Sequence, residues 1–570
     1  MKYSILVSIT ILLLSGDVVG QLKKKKPSQN SLTPDVQLKV ETSVIEAEKQ
    51  LLLENYARAY ELFLVARDLN PNDAAIHFKL AEVVVQQGDN EKGLEYISKS
   101  IELDPDNKFY LIFKAEILKN IGRFIDAIAT YERLISTVSG TESYLYELAV
   151  LYQYQQQYEN ALKTYRKAEE YFGRTIEVMR EKQSIYLKLG DIEQLIKDWE
   201  ALVAESPYEP GYLIEFCRVL IDNEMYQDAE ARLQDFVSNN PELDRPFILL
   251  SEIERRLGNT KEALDYLERP IKSSLVDLRP KLQALNSYSA EIVTEDQKRT
   301  FQRLVSYLVE AHPDEYEAMA FAGDMSMQEG EKETALMYYR KAAAINPGNY
   351  NIWQNIVTLE IERAEYDSLV EHAETALEYF PNQAIFYFYG GVGYYFQENY
   401  RRSTQLLEQG RRFTSDPALL SVFYGQLGDA YHSMKEYEKS DDAYEKAIEN
   451  DPNNDHALNN YSYYLSVRGI NLDRALEMSS ALIDMHPENP TYLDTHGWVL
   501  YIMQRYTEAE EYLRKAVERG EDGTVYEHYG DVLYKLGRTD EALEYWQRAR
   551  DLGGASDKID QKITDKQLYE

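Results

Sequence analysis

The stretch DEYEAMAFAGDMSMQEGEKETALMYYRKAAAINP, residues 314–347, sets the pattern for most of this chain. Its apolar residues recur at spacings of three and four, which predicts two amphipathic helices joined by a short turn at Glu329 and Gly330. Gly323 predicts a close crossing of the two helix axes, and Tyr339 is expected to fill the wedge between them. Such a pair cannot bury its own apolar face, so the stretch predicts a neighbouring pair on each side.

The proline that ends this stretch belongs to a repeat of 34 residues. Counting 34 residues from Pro347 reaches Pro313 in one direction and Pro381 in the other. This period, with its small, aromatic, small and proline positions, resembles the tetratricopeptide repeat, a helix-turn-helix unit. About fifteen units in register cover residues 39–554. The resemblance implies an all-α fold, a right-handed superhelical solenoid of about fifteen helix-turn-helix repeats.

The repeat register predicts six segments along the chain. They are a signal peptide at residues 1–20, a basic polar linker at 21–38, an N-terminal repeat array at 39–275, an atypical repeat or hinge at 276–313, a C-terminal repeat array at 314–554 and a capping helix at 555–570. The hinge is predicted because Pro313 lies 38 residues beyond Leu275, where the period expects a proline. A plain repeat of 38 residues without a hinge is the alternative interpretation.

Residues 1–20 have the features of a secretory signal. Lys2 gives a positive start, the run from Ile5 to Leu14 is largely apolar, and small residues precede a cut before Gln21. The apolar run is shorter than the about 20 residues that a membrane span needs. An uncleaved anchor is the alternative. We therefore expect an exported protein, located in the periplasm or associated with the outer membrane.

Acidic residues dominate the composition, with 97 Asp and Glu against 62 Lys and Arg and a net charge of −35. Nucleic acids attract cationic surfaces, so this balance predicts no nucleic-acid partner. The run Lys23–Lys26 is a basic exception within the predicted linker. Membrane contact is expected only through this run or through an uncleaved signal. The single cysteine, Cys217, falls on a packing position and is expected to be buried.

Residues that carry chemistry show no catalytic pattern. The eight histidines are scattered over different repeats, and none forms a pair with the helical spacing of metal ligands. The chain has no nucleophile elbow, no phosphate-binding loop and no paired-cysteine motif. We therefore predict a protein that is not an enzyme and that has no cofactor and no metal.

The first helices of the repeats are the predicted binding surface. The resemblance implies that stacked first helices line a concave groove whose side chains lie next to the packing positions. Here many of these side chains are aromatic, and their rings form a rigid surface for a peptide or an extended segment, although several of them could instead be buried against the adjacent helix. In this register the groove residues are Phe388, Tyr395, Tyr463, Trp498, Tyr501 and Tyr534.

The last repeats favour a bacterial origin for this protein. The pairs Asn489-Pro490, Leu493-Asp494 and Gly497-Trp498 resemble the final repeats of exported bacterial tetratricopeptide proteins. We expect a non-catalytic scaffold of the bacterial cell envelope that holds a partner protein or an extended segment. The alternative is a glycan- or cell-wall-binding module that supports an export or polysaccharide machine, because sugars stack on aromatic rings.

Overall fold

The computed structural model describes residues 32–207 and 209–569, and these residues are built of α-helices. The predicted signal at residues 1–20 lies outside them, as do residues 21–31 of the predicted linker with Lys23–Lys26. The first helix begins at Pro34, so residues 34–38, which we predicted as linker, are helical instead. Proline is favoured in the first turn of a helix because its missing N–H is not needed there.

Thirty-one α-helices follow one another along the described residues. They are α1 (Pro34–Leu52), α2 (Tyr56–Leu69), α3 (Ala74–Gln86), α4 (Asn90–Leu103), α5 (Lys108–Asn120), α6 (Phe124–Thr137), α7 (Leu145–Tyr154), α8 (Tyr158–Phe172), α9 (Ile176–Leu189), α10 (Ile192–Glu205), α11 (Pro210–Asp222), α12 (Tyr226–Asn239), α13 (Pro246–Arg256), α14 (Thr260–Lys272), α15 (Leu278–Ser289), α16 (Glu295–Ala311), α17 (Tyr316–Gln328), α18 (Lys332–Ile345), α19 (Tyr350–Glu362), α20 (Tyr366–Tyr379), α21 (Ala384–Phe396), α22 (Tyr400–Gly410), α23 (Pro417–Ser433), α24 (Tyr437–Asn450), α25 (Asp455–Arg468), α26 (Leu472–Met485), α27 (Pro490–Ile502), α28 (Tyr506–Arg519), α29 (Gly523–Lys535), α30 (Thr539–Leu552) and α31 (Ile559–Asp565). Two short 3-10 helices, Glu142–Tyr144 and Arg411–Phe413, lie before α7 and after α22.

The helices pair into hairpins that stack as a solenoid. Within each of its two compact units, one ending at Asp235 and the other starting at Phe236, extensive contacts join only helices one or two places apart. An apolar cluster in the second unit extends from Met319 to Phe386, so consecutive repeats share one core. The predicted all-α solenoid of helix-turn-helix repeats is confirmed.

The hairpin of α17 and α18 shows how the repeat packs. Tyr339 is buried in the wedge between the two helices, and its hydroxyl donates a hydrogen bond to Asp324 at 2.7 Å. The turn residue Gly330 has a φ of +78°, which glycine adopts without strain. A Cβ added at Gly323 would lie 2.7 Å from the Tyr339 ring, so the helices cross as closely as the sequence predicted.

We expect Gly323→Leu to destabilise the second unit by about 1–3 kcal/mol, because the new side chain must displace the Tyr339 ring from a packed crossing. Urea unfolding monitored by circular dichroism measures the change. Gly211→Leu is the matched control, since a Cβ at Gly211 meets no atom within 4 Å. An unchanged unfolding transition for Gly323→Leu would mean that the helices do not cross at this position.

Aromatic rings tie several first helices to the preceding turn. Trp353 Nε1 donates to the carbonyl oxygen of Pro347 at 2.8 Å, and the Tyr387 hydroxyl donates to that of Pro381 at 2.9 Å. In each case the ring lies six residues after the proline. Each of these bonds gives a partner to a proline carbonyl group that lies outside the helical hydrogen-bond pattern. The turn is therefore held in the same way in both repeats.

The remaining predicted segments have the following structures. Residues 276–313 hold the helices α15 and α16 and lie within the second unit, and the hinge there stays a prediction. In the segment 555–570, α31 covers residues Ile559–Asp565, with Ile559 buried. Cys217 is buried against the carbonyl oxygen of Ala229, as predicted.

No helix within the described ranges has the length and hydropathy of a membrane-spanning segment. Over the same part of the chain, no three side chains of the His, Cys, Asp and Glu types come together as a metal site.

Candidate partner-binding site

A pocket of about 690 Å³ lies near the C-terminal end of the second unit. The first helices α25, α27 and α29 of three successive repeats form one side of this C-terminal pocket, and α31 with its flanking segments forms the other. The residues that line the C-terminal pocket are Tyr463, Trp498, Tyr501, Ile502, Gln504, Tyr506, Thr524, Glu527, His528, Asp531, Lys535, Gly554, Ser556, Asp557, Lys558, Lys562 and Tyr569.

Stacked rings form one wall of the C-terminal pocket. Trp498 is half-buried and stacks on His528 of the next repeat, with ring centroids 3.9 Å apart, and on Tyr501, 4.8 Å away. The indole Nε1 is buried and has no hydrogen-bond partner in the described part of the chain. A buried donor without an acceptor costs about 1–3 kcal/mol, so the packing of the Trp498 ring must offset this cost.

A buried ion cluster lies where α29 meets α31. The Lys562 ammonium donates to both oxygens of Asp531, at 2.8 and 2.7 Å, and lies 2.7 Å from Glu527 Oε1. Ser556 donates to both Glu527 oxygens through its backbone N–H and its hydroxyl, each at 2.6 Å. Burial alone would raise the pKa of Glu527, but the hydrogen bonds from Lys562 and Ser556 hold it below its usual range. The cluster fastens α31 to α29.

His528 lies between the stacked rings and the ion cluster. Its Nδ1 lies 2.9 Å from Asp494 Oδ1, on the first helix of the preceding repeat. Burial alone would lower the pKa of His528, but the charge of Asp494 and its hydrogen bond, with further help from Asp531 and Glu527, raise it above its usual range. The imidazolium form of the ring that stacks on Trp498 is therefore more favoured than it is in a free histidine side chain.

Three of the six predicted groove residues meet in the C-terminal pocket. Tyr463 and Trp498 are half-buried and line it, as the register indicated. Tyr501 also lines it, but only 3 % of its surface is exposed. Tyr501 is thus mainly a core residue, because its ring packs between Trp498 and Tyr506.

The other three predicted residues lie away from this pocket and pack against neighbouring helices. Phe388 contacts Phe423 edge to face at 5.4 Å, and Tyr534 lies 5.7 Å from Trp546. Tyr395 is half-buried against Tyr400. All three rings are half-buried, so part of each remains exposed. Partner binding by the six residues stays a prediction.

The charged residues of the pocket were not among the sequence-based candidates. Asp494 and His528 lie 34 residues apart, about one repeat, while Asp531 and Lys562 lie 31 apart. The signal for Asp531 and Lys562 is a recurrent spacing of 31, which brings polar residues of adjacent helices together elsewhere as well. The pairs with this spacing include Glu48–Lys79, Thr358–Tyr389, Asp429–Asn460 and Asp531–Lys562.

Family models described as tetratricopeptide repeat match several parts of the chain. One model matches residues 50–108, 302–350 and 495–557. Three others match residues 142–172, 421–454 and 443–477. The last match of the first model includes most of α27 and all of α28, α29 and α30, which carry or support the C-terminal pocket.

Two bacterial proteins are similar in sequence. The TPR repeat-containing protein YpiA of Bacillus subtilis is 22 % identical over 351 residues, which cover 60 % of this chain and 79 % of that protein. A TPR repeat-containing protein of Pseudomonas aeruginosa is 25 % identical over 207 residues, 35 % of this chain and 34 % of that protein. The second match therefore spans about a third of that relative.

Solved structures give matches over nearly the whole length but with poor superposition. Yeast Tom70 is 14 % identical, with a TM-score of 0.32, over 93 % of this chain and 95 % of that one. A chain of the APC/C hetero-tetramer Cut9-Hcn1 is 12 % identical, with a TM-score of 0.30, over 94 % and 98 %. TM-scores of this size support no argument about the fold.

The family assignment rests on the family models, the sequence relatives and the helical hairpins together. The models match separate regions from residue 50 to residue 557, and the two relatives are themselves named for the same repeat. Stacked repeats of this kind create extended concave binding surfaces. The chain is a tetratricopeptide-repeat protein, a scaffold for protein–protein interaction.

Proposed function

We propose that this scaffold acts in the bacterial cell envelope, where its C-terminal repeats hold an extended segment of a partner protein. The C-terminal pocket is the observation that carries the proposal, because it brings aromatic rings and charged groups together on three adjacent first helices. Interfaces use such rings as anchors, and the surrounding polar groups fix the orientation of the bound chain.

A polypeptide suits this pocket because it supplies both kinds of contact. An apolar side chain of the segment would pack beside Tyr463 and Trp498, and its polar backbone groups would lie beside the charged residues that line the pocket. The overall charge of −35 favours a partner with a basic or polar surface.

The glycan-binding alternative fits this geometry less well. Sugars need a ring face that is open to solvent, whereas the Trp498 ring already stacks on His528 and Tyr501. The proposal therefore keeps a protein segment as the ligand.

The envelope location is proposed from the N-terminal sequence. Residues 1–20 have the charged start, the apolar run and the small residues of a secretory signal. Cell fractionation with mass spectrometry of the mature N-terminus tests the location. The expected result is a chain that starts at Gln21 in the periplasmic or outer-membrane fraction. A chain that retains residues 1–20 in the cytoplasmic fraction would overturn this part of the proposal.

Photo-crosslinking tests the binding site. A photoreactive amino acid at Tyr463 is expected to capture one envelope protein, and mass spectrometry identifies the crosslinked segment. We expect Tyr463→Ala to weaken binding of the corresponding synthetic peptide about tenfold, because it removes one anchor ring. Isothermal titration calorimetry measures the affinity.

Tyr526→Ala is the matched control. Tyr526 is also half-buried and lies on the same helix as His528, but it packs against Tyr545 rather than lining the C-terminal pocket. Its substitution is expected to leave the peptide affinity unchanged. Equal losses in the two variants would mean that the segment does not bind in this pocket.

A further inference from the structure

The first helix has an apolar stripe on its surface. Leu38, Ile45 and Leu52 are 64 %, 69 % and 78 % exposed, and they lie seven residues apart on α1. Seven residues are close to two helical turns, so the three side chains project in nearly the same direction over about 21 Å. We call these three residues the α1 stripe. Contiguous exposed apolar residues of this kind mark interaction surfaces.

The α1 stripe faces the place that a preceding repeat would occupy. Lys79 lies 34 residues after Ile45, at the same position of the next repeat, and it reaches back to Glu48 of α1 at 3.1 Å. Tyr389 has the same position in a later repeat and reaches back to Thr358. Ile45 must therefore point away from α3, towards a side on which the described residues place no helix.

The last repeat differs from the first. There α31 lies over the final hairpin, with Ile559 buried and Lys562 bonded to Asp531. A terminal repeat needs such a cover with a polar outer face to stay soluble. In a head-to-tail stack of copies, the α1 stripe of one copy would meet the last hairpin of another. That hairpin is already covered by α31, so it offers no apolar surface to the stripe.

We propose that a second copy of this chain covers the α1 stripe, with the two α1 helices antiparallel about a two-fold axis at Ile45. In this arrangement, residues at equal distances on either side of Ile45 come level with each other. Leu38 of one copy meets Leu52 of the other, so all three apolar residues are covered by the same stripe. An isologous dimer needs this kind of self-complementary surface.

The charges beside the stripe favour the same arrangement. Glu41 lies four residues before Ile45 and Lys49 lies four residues after it, so each Glu41 comes level with Lys49 of the other copy. Parallel helices would instead place Glu41 level with Glu41 and Lys49 level with Lys49. Among the residues that the structure describes, Lys49 reaches only Glu46, at 3.4 Å on an exposed surface, so it is available for a new pair.

One helix from each copy makes a small interface. Stable complexes bury roughly 800 Å² on each partner, and a single helix face provides less. The dimer is therefore a weak one that forms as the protein concentration rises.

Sedimentation equilibrium of the full chain over a range of concentrations tests the proposal. The wild-type chain is expected to form dimers, and Ile45→Asp to abolish them. Glu41→Lys and Lys49→Glu should each weaken dimerisation about tenfold, because each change places like charges level with each other. The double variant with both changes should recover the wild-type dimer, since it exchanges the two charges and restores the pairs.

Val293→Asp is the matched control for Ile45→Asp. Val293 is 87 % exposed and lies far along the chain in the second unit, so its substitution should leave the dimer unchanged. Circular dichroism confirms that each variant is folded. A wild-type chain that is monomeric at all concentrations would overturn the proposal, as would a double variant weaker than both single ones. A dimer that forms only after removal of residues 1–31 would show that the chain's own N-terminal segment covers the stripe, and it would equally overturn the proposal.

Discussion

Replacing Lys562 with methionine is expected to destabilise the last repeat and α31 by about 3–5 kcal/mol. Lys562, Asp531 and Glu527 are each at most 4 % exposed, so water cannot replace the ammonium group. Methionine fills a similar volume but leaves two buried carboxylates without their counter-charge. Burial already raises the pKa of Asp531 against the opposing effects of Lys562 and His528, which shows how costly the unpaired charge would be.

Local unfolding measures this loss better than a global transition, because repeats at the end of a solenoid unfold separately. Trp546 is a suitable reporter, since its ring centroid lies 5.9 Å from the Lys562 ammonium and its Nε1 donates to Asp531. Urea unfolding followed by Trp546 fluorescence and by amide hydrogen exchange in α29, α30 and α31 gives the free energy.

Two further variants separate the charge effect from packing. Lys558→Met removes an exposed lysine just before α31 and should change stability by less than about 0.5 kcal/mol. Combining Lys562→Met with Asp531→Asn and Glu527→Gln should recover most of the loss, because no buried charge remains. A loss below about 1 kcal/mol in Lys562→Met alone would mean that the carboxylates are hydrated.

The same substitution links stability to the proposed function. The α31 helix supplies Lys562 to the C-terminal pocket, and the segments around it supply Ser556 and Tyr569. A detached α31 opens this side of the pocket, while Tyr463 and Trp498 keep their places on α25 and α27. We therefore expect Lys562→Met to weaken partner binding, although Lys562 itself lies away from the aromatic wall.

The repeat fold was predictable because its packing is local. Gly323 and Tyr339, which set the helix crossing, lie within one hairpin, so their spacing in the sequence reports their contact directly. The start of the array was less predictable, because the polar composition before Val40 concealed a helix that begins at Pro34. The division between Asp235 and Phe236 falls inside α12, where no proline or change of period marks it.

The aromatic part of the candidate site was predictable and the charged part was not. Tyr463 and Trp498 follow from the position of first-helix residues beside the packing glycines and serines. The pairing of Asp531 with Lys562 depends on contacts between consecutive repeats, which become visible only when the first helices are aligned at a spacing of 31 residues. Tyr501 lines the pocket, but the sequence did not show that its ring would be almost fully buried by stacking on Trp498.

Lowering the pH from about 6.5 to about 4 is expected to remove about 3 kcal/mol of local stability through His496. Its side chain is buried on α27, with Nδ1 2.9 Å from the Ser479 hydroxyl and the ring edge-on to Tyr512. Burial, with a smaller contribution from the Arg505 charge, lowers the pKa of His496 to about 4. The folded repeat therefore holds a neutral ring.

The sign of the effect follows from this depressed pKa. Above the ordinary histidine pKa of about 6.5 both the folded and the unfolded chain hold a neutral ring, and the full stability is present. As the pH falls towards 4 only the unfolded chain gains the proton, so the folded state loses stability at about 1.4 kcal/mol per pH unit. His496→Asn has no proton to gain and can still bond Ser479. Hydrogen exchange in α27 should therefore show the wild type losing about 3 kcal/mol relative to His496→Asn between pH 7 and pH 4, and parallel pH profiles would contradict a neutral buried ring.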